Sequence, residues 1–362
     1  MKSGKPSVLI AMSGGVDSSV AACLLHEQGF DCRGATMKLF DIKTESETHG
    51  KTCCAFHDVQ DARNVAYKLD IPFYVVNFTD DFEKQVITRF VETYQQGMTP
   101  NPCIDCNRYV KFDRFLRRCL EFDIDFIATG HYARIFHDSI SERYLLQKAV
   151  DTEKDQSYVL YAMTQQQLAK TFFPLGHYRK QEVREIAQQH GLINAAKKES
   201  QDICFVPDGD YATFIERHTG RVPPSGDFID RDGRVLERHR GLIRYTIGQR
   251  KGIGIARSLP YYVCSLESTS NTVVLGNEED LYSQRLEAVD VNLIAMDCID
   301  KPMRVMAKIR YRQPEEPAMV EQLDIDRLRV VFDKPQRAIT PGQAVVLYDG
   351  DLVIGGAIVT KT

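Results

Sequence analysis

The chain's chemistry starts at Ser13-Gly14-Gly15-Val16-Asp17-Ser18-Ser19. Gly14 and Gly15 let the main chain come close to an anion, and the three serines add hydroxyl donors. An apolar run, Val8-Leu9-Ile10-Ala11-Met12, precedes this stretch, and an amphipathic run from Val20 to Gln28 follows it. Strand, glycine turn and helix in that order aim a helix N-terminus at a phosphate. No Gly-Lys-Ser/Thr closes the loop, so it is not a Walker A motif, and its glycine spacing is not that of a dinucleotide fingerprint. The plain alternative is an ordinary strand-to-helix turn.

Thiols stand in two further places. One is Thr99-Pro100-Asn101-Pro102-Cys103-Ile104-Asp105-Cys106-Asn107; the other is Ser200-Gln201-Asp202-Ile203-Cys204-Phe205. A thiol attacks, or binds a metal, only as thiolate. Cys106 and Cys204 are 98 positions apart (204 − 106), so only the fold can bring them together. Cys23, Cys119 and Cys264 read as core residues. Cys53-Cys54 stays open between inert thiols and a regulatory or sulfur-accepting pair. His131, directly after Gly130 at a strand end, reads as a site residue, and His177 and His190 as surface residues.

These groups need elements to hold them. Strands are expected at Val8–Met12, Cys32–Leu39, Phe73–Phe78 and Phe126–Thr129, and helices at Val20–Gln28, His57–Leu69, Asp80–Gln96 and Lys111–Phe122. A polar stretch from Asp41 to Lys51 reads as a loop. The alternation predicts an α/β domain with a parallel sheet, helices on both faces and ligands at the carboxyl ends of the strands. Ser13, Met37, Asn77 and Gly130 fall there. A short edge strand is expected over Tyr144–Val150 and a helix over Gln181–His190. After Phe205, prolines and glycines punctuate short segments. Asp230-Arg231-Asp232-Gly233, Ser268-Thr269-Ser270-Asn271 and Asp349-Gly350 read as hairpin turns. From about Leu286 the runs are all strand-like and predict a small β-barrel. The expected domains are 1–206, a small central domain at 207–284 and the barrel at 285–362.

At 362 residues, 43% hydrophobic and 27% charged, the composition is that of a globular protein of two or three domains. No apolar run approaches the ~20 residues that span a bilayer, and the N-terminus lacks the pattern of a signal peptide. The ten cysteines read as mostly reduced thiols of a cytoplasmic protein with no membrane contact. A net charge of −4 gives no global attraction to nucleic acid, so any RNA contact must use local basic patches. Arg234 to Arg257 holds seven Lys/Arg residues against one acid, Glu237, and Lys301 to Arg312 holds five and no acid. Such patches contact phosphate, with Tyr245 and Tyr311 placed among them for base stacking. The alternative is two solvated basic faces.

The loop resembles the SGGxDSS pyrophosphate loop of ATP pyrophosphatases, which split ATP into AMP and pyrophosphate while adenylating a substrate. Over nearly its full length the chain resembles the bacterial tRNA-specific 2-thiouridylases. The further landmarks are Asn101-Pro102…Cys106-Asn107, Thr129-Gly130-His131-Tyr132, Lys154-Asp155-Gln156-Ser157-Tyr158, Asp202-Ile203-Cys204-Phe205, Gly248-Gln249-Arg250-Lys251-Gly252, Arg310-Tyr311-Arg312 and Thr340-Pro341-Gly342-Gln343.

The resemblance implies that ATP, with Mg2+, lies across Ala11, Met12, Ser13, Gly14, Gly15, Val16, Asp17 and Ser18, with Met37 and Gly130 near its adenosine end. It implies 2-thiolation of the wobble uridine of tRNA after adenylation of O2. Cys204 would carry a persulfide supplied by a cysteine desulfurase or a sulfur-relay protein. Cys106 would be the nucleophile, and a transient Cys106–Cys204 disulfide would follow. Asn101, Pro102 and Cys103 take the positions that touch the target base. Lys154, Asp155, Gln156, Arg310 and Tyr311 match tRNA contacts, and His131 and Gln343 match positions needed for activity. A monomer is expected.

Many family members carry an aspartate, assigned acid–base work, where this chain has Cys103. Cys103, Cys106 and Cys204 could instead hold a [4Fe-4S] cluster through three thiolates. Two other functions compete. A ligase adenylating a small metabolite leaves the thiols and basic patches without purpose. A non-catalytic RNA-binding protein leaves the pyrophosphate loop unexplained.

Overall fold

Ser7, Val8, Leu9, Ile10 and Ala11 are all buried, and they form the central strand β1 (Ser7–Ala11). A strand covered on both faces reads as an unbroken apolar run, and this one does from Val8 to Ala11. The structure is a computed structural model that describes residues 4–40, 56–195, 197, 203–255 and 260–362. Cys53-Cys54 and the polar stretch 41–51 lie outside the described residues.

Next along the chain come β2 (Asp31–Lys38), β3 (Phe73–Asn77) and β4 (Phe126–Thr129), then the antiparallel pair β5 (Ala133–Asp138) and β6 (Arg143–Lys148), then the two-residue β7 (Thr171–Phe172). The sheet order is β3-β2-β1-β4-β7, every pairing parallel. The order reverses at β1, so the loops leaving β1 and β4 lie side by side, where such sheets bind ligands. Helix α1 (Val16–Glu27) covers one face, with Val20, Ala21 and Leu24 in a core shared with Val8, Ile10, Val183 and Ala187. Cys23 and Cys119 are core residues as expected, and burial pushes their thiols up to about 11 and about 12.

Two predicted helices are wound differently. The expected helix over 80–96 is Thr79–Phe82, a π-helical stretch Glu83–Ile87, then Thr88–Gln95. The one expected over 111–122 starts earlier, at Pro102–Asp105, continues as a nine-residue π-helix Cys106–Arg114 and ends as Phe115–Glu121. A π-turn shifts the side-chain phase, which a 3.6-residue pattern does not reveal. The helix Tyr211–Thr219 was not anticipated; Asp210 caps it by accepting from Thr213 N at 3.0 Å, and Gly220 ends it at φ 66°.

The chain divides into two compact units. The first comprises 1–86, 103–209 and 351–353; the second comprises 87–102, 210–350 and 354–362. The second unit holds a four-stranded sheet of β8 (Gly226–Ile229), β9 (Val235–His239), β10 (Tyr262–Glu267) and β11 (Thr272–Gly276) around Phe228, Tyr245, Val263 and Leu275. It also holds β12 (Tyr282–Leu293), β13 (Met303–Lys308), β14 (Glu316–Asp324), β15 (Arg327–Arg337), β16 (Ala344–Asp349) and, from Ile354 on, β17 (Leu352–Lys361). Their order is β12-β15-β14-β13-β16-β17, and β17 returns to β12, closing the predicted barrel. Closure removes the exposed edges an open sheet would leave.

Candidate active site

The end of β1 is pinned before the loop begins. Met12 N donates to Ala35 O at 2.8 Å, and Thr36 Oγ1 donates to Met12 O at 2.6 Å. Ser18 Oγ then accepts from Ser13 N at 3.1 Å and donates to Gly15 O at 3.1 Å, while Ser19 Oγ donates to Gly15 O at 3.0 Å. Ser18 and Ser19 are buried and their hydroxyls hold the loop's own shape; Ser13 is exposed. Gly14 sits at φ 76°, and a Cβ there would lie 2.2 Å from Asp58 O, at the start of helix α2 (Phe56–Lys68). Gly130, leaving β4, packs on the same loop: a Cβ would meet Ser18 N at 2.7 Å and the Asp17 carbonyl carbon at 2.8 Å.

Asp17 is held from two sides. Lys180 Nζ reaches both carboxylate oxygens, at 2.7 and 2.8 Å, and Tyr132 OH donates to Oδ1 at 2.8 Å. This carboxylate therefore already has a cationic partner, the Lys180 ammonium. Tyr132 is itself fixed by Gln156, through Tyr132 N to Gln156 Oε1 at 2.9 Å and Gln156 N to Tyr132 O at 2.9 Å. Behind the loop, Lys197 Nζ lies 2.6 Å from Asp58 Oδ1, 2.6 Å from Asp61 Oδ2 and 3.2 Å from Gly14 O. Burial pulls the Lys197 pKa down, but hydrogen bonds and charge from the two aspartates outweigh it, and the net direction is up. Asn194 Nδ2 donates to Gly14 O at 3.0 Å and to Ser19 Oγ at 2.8 Å. Sequence reasoning missed Lys180, Asn194 and Lys197, and took Tyr132 only as part of a landmark; lone polar residues so far away in the chain carry no local signal.

The first unit also holds the three thiols. Cys103 is exposed, Cys106 is buried at the start of the π-helix, and Cys204 is half-buried; no disulfide joins them. Asn107 Nδ2 donates to Val159 O at 3.0 Å and anchors the residue after Cys106. Phe205, after Cys204, packs edge-on against Phe82 at 5.7 Å. Among the described residues no three His, Cys, Asp or Glu side chains are grouped to hold a metal ion. Cys103 faces solvent where Cys106, three residues on, faces the interior.

His131 is buried, with Nδ1 2.7 Å from Thr129 Oγ1 and its ring between Phe112 at 5.7 Å and Phe173 at 5.8 Å. Burial, and next the charge of Lys111, keep its imidazole neutral, with a pKa well below the usual value. Met37 and Lys154 are half-buried. Asp155 accepts from Ala149 N at 2.9 Å and Ser157 Oγ at 2.6 Å, so it and Gln156 shape their own loop.

In the second unit, Gln343 Nε2 donates to Thr99 O at 2.9 Å and Pro100 O at 3.1 Å, holding the segment that leads into Asn101 and Pro102. Arg310 Nη2 donates to Ala338 O at 2.6 Å and Thr340 Oγ1 at 2.9 Å. Tyr311 is 37% exposed, with the Lys308 ammonium 5.8 Å from its ring centre. Contrary to the stacking role expected of it, Tyr245 is buried against Phe228 and His239 and offers no stacking surface. Several arginines of the basic stretches are paired, Arg238 with Asp227, Arg244 with Glu216 and Arg304 with Asp333. Arg240, Arg250, Lys251 and Arg312 are exposed.

Residues 6–208 match the model of the tRNA methyl transferase HUP domain, 212–277 the tRNA methyl transferase PRC-barrel domain and 283–359 the aminomethyltransferase beta-barrel domain. The chain is 52% identical over 356 residues to a protein of Acetivibrio thermocellus named tRNA-specific 2-thiouridylase MnmA, covering 98% of this chain and 99% of that one. Proteins of the same name from Clostridioides difficile and Carboxydothermus hydrogenoformans are each 49% identical, over 355 and 361 residues, covering 98% and 99% of this chain and 98% of theirs. The chain therefore belongs to the tRNA-specific 2-thiouridylase family.

Proposed function

We propose that this protein is an ATP-dependent tRNA-uridine 2-sulfurtransferase acting on the wobble uridine, position 34. Uridine O2 attacks the α-phosphorus of ATP and pyrophosphate leaves. The adenylated oxygen can then depart as AMP, which a bare carbonyl oxygen cannot do. A persulfide on Cys204 supplies sulfur to C2. When Cys106 attacks the inner sulfur of that persulfide, the outer sulfur is released onto C2 and a Cys106–Cys204 disulfide remains, which an external thiol reduces. A cysteine desulfurase or a sulfur-relay protein reloads Cys204. Residues 11–18, Met37 and Gly130 take ATP. Asn101, Pro102 and Cys103 meet the base, and Lys154, Asp155, Gln156, Arg310, Tyr311, His131 and Gln343 serve tRNA binding. We read the domains as 1–206, 207–284 and 285–362, and the protein as a cytoplasmic monomer.

The observation that carries this reading is one compact unit holding both the serine-glycine loop and the two thiols Cys106 and Cys204, in a chain about half identical to named thiouridylases over almost its whole length. Sulfur transfer requires the two thiols to meet. Lys197 is tied to the loop at Gly14 O. Cys204 follows seven positions later (204 − 197), so its backbone stays within about 25 Å of that anchor. The matched domain families are named for methyl transfer and the relatives for thiolation; a pyrophosphate loop with two thiols suits the latter. ATP–pyrophosphate exchange tests the first step: it should require tRNA and survive Cys204→Ser, while thiolation stops. Exchange that proceeds without tRNA, on a small metabolite, would point to a ligase instead.

A further inference from the structure

The carbonyl of Gly14 receives two side-chain donors from one distant segment, Asn194 Nδ2 at 3.0 Å and Lys197 Nζ at 3.2 Å. A trans peptide is planar, and its C=O and N–H point in opposite directions. Fixing the Gly14 carbonyl behind the loop therefore turns the Gly15 N–H to the opposite side. There it donates a long, 3.4 Å hydrogen bond to the exposed Ser13 Oγ, slightly beyond the usual N–H···O range. Among the described residues it is a donor held in direction and weakly engaged.

We propose that Asn194 and Lys197 are positioning residues that set the Gly14–Gly15 peptide so that its N–H donates to a phosphate oxygen of ATP. This rests on the reading that the loop takes ATP. The hydrogen-bond roles leave Asn194 one orientation. Ser19 Oγ donates to Gly15 O and so accepts from Asn194, and Gly14 O can only accept. Nδ2 must face both, which leaves Asn194 Oδ1 buried without a hydrogen-bond partner among the described residues. A buried amide with an unmet acceptor is retained where the surroundings over-determine it. Lys197 is over-determined as well, held by Asp58 and Asp61 on the helix whose first turn lies against Gly14. Their bonds to the loop go to Gly14 O and Ser19 Oγ, so both act through the main chain.

The test uses the full chain and three probes measured without tRNA: a non-hydrolysable ATP analogue, inorganic pyrophosphate and adenosine. Asn194→Leu and Lys197→Met should each weaken the analogue and pyrophosphate by about tenfold or more, the scale of losing one donor to a charged acceptor. Adenosine binding should stay within about twofold, and Lys197→Arg should restore phosphate binding, since a merely structural role would lower all three probes together. Folded variants that bind the analogue as the native chain does, or that lose adenosine in step with it, overturn the proposal. Lys197→Met alone decides it if Asn194→Leu does not fold. A native chain that binds neither analogue nor pyrophosphate overturns the ATP reading of the loop, and this proposal with it.

Discussion

Replacing Lys180 by methionine would leave Asp17 at the pyrophosphate loop without its counter-ion. The native pair has two charge-assisted contacts, at 2.7 and 2.8 Å, and side-chain exposures of 10% for Lys180 and 28% for Asp17. Removing one partner of a fully buried pair costs about 3–5 kcal/mol, and an exposed pair is worth about 1 kcal/mol or less. Asp17 keeps partial hydration and the Tyr132 hydroxyl at 2.8 Å, so about 2–3 kcal/mol is expected. Hydrogen exchange of the α1 amides reads this local stability directly, and Lys180→Met should speed it by roughly 30- to 150-fold. Asp17→Asn should also speed exchange, because it leaves a buried ammonium. The double variant removes both charges and should fall about 2 kcal/mol short of the summed single effects. If the two changes instead add to within about 0.5 kcal/mol, the pair does not hold the loop and its role here is wrong.

Gly130→Ala should destabilise the first unit by about 1–3 kcal/mol, because its Cβ would meet Ser18 N at 2.7 Å and backbone cannot give way; unchanged α1 exchange would contradict this. Gln343→Leu removes both donors to Thr99 O and Pro100 O, so the KM for tRNA should rise by about tenfold with ATP binding unaltered, in steady-state thiolation assays. His131 has a folded pKa well below the ordinary value, set first by burial and then by Lys111. Its share of stability is complete above the unfolded pKa of about 6.5 and falls as pH drops below it, since the unfolded chain then binds a proton that the folded chain refuses. The thermal midpoint should decline more steeply on acidification in the native chain than in His131→Asn, and equal slopes would refute the assignment.

The loop was legible because its residues are contiguous and follow a buried apolar run; the sheet was legible because strands and helices alternate. The partners that hold the loop were not. Lys180 meets Asp17 across 163 positions, and Asn194 meets Gly14 across 180. Seven adjacent residues cannot report such a contact. Nor does a serine's identity say which way its hydroxyl turns: Ser18 and Ser19 looked like phosphate donors and instead brace Gly15 O. Tyr245 stood among arginines, yet its ring completes an aromatic core with Phe228. Counting charges also overstated the basic faces, because Asp227, Glu216 and Asp333 neutralise three of the arginines from elsewhere in the chain.

The most direct measurement is nucleoside analysis by mass spectrometry of tRNA incubated with the protein, MgATP and a persulfide donor. Sulfur should appear at C2 of the wobble uridine, only when ATP is present, and should vanish with Cys204→Ser. Sulfur-free uridine under all conditions, or thiolation untouched by Cys204→Ser, would contradict sulfur transfer through this thiol.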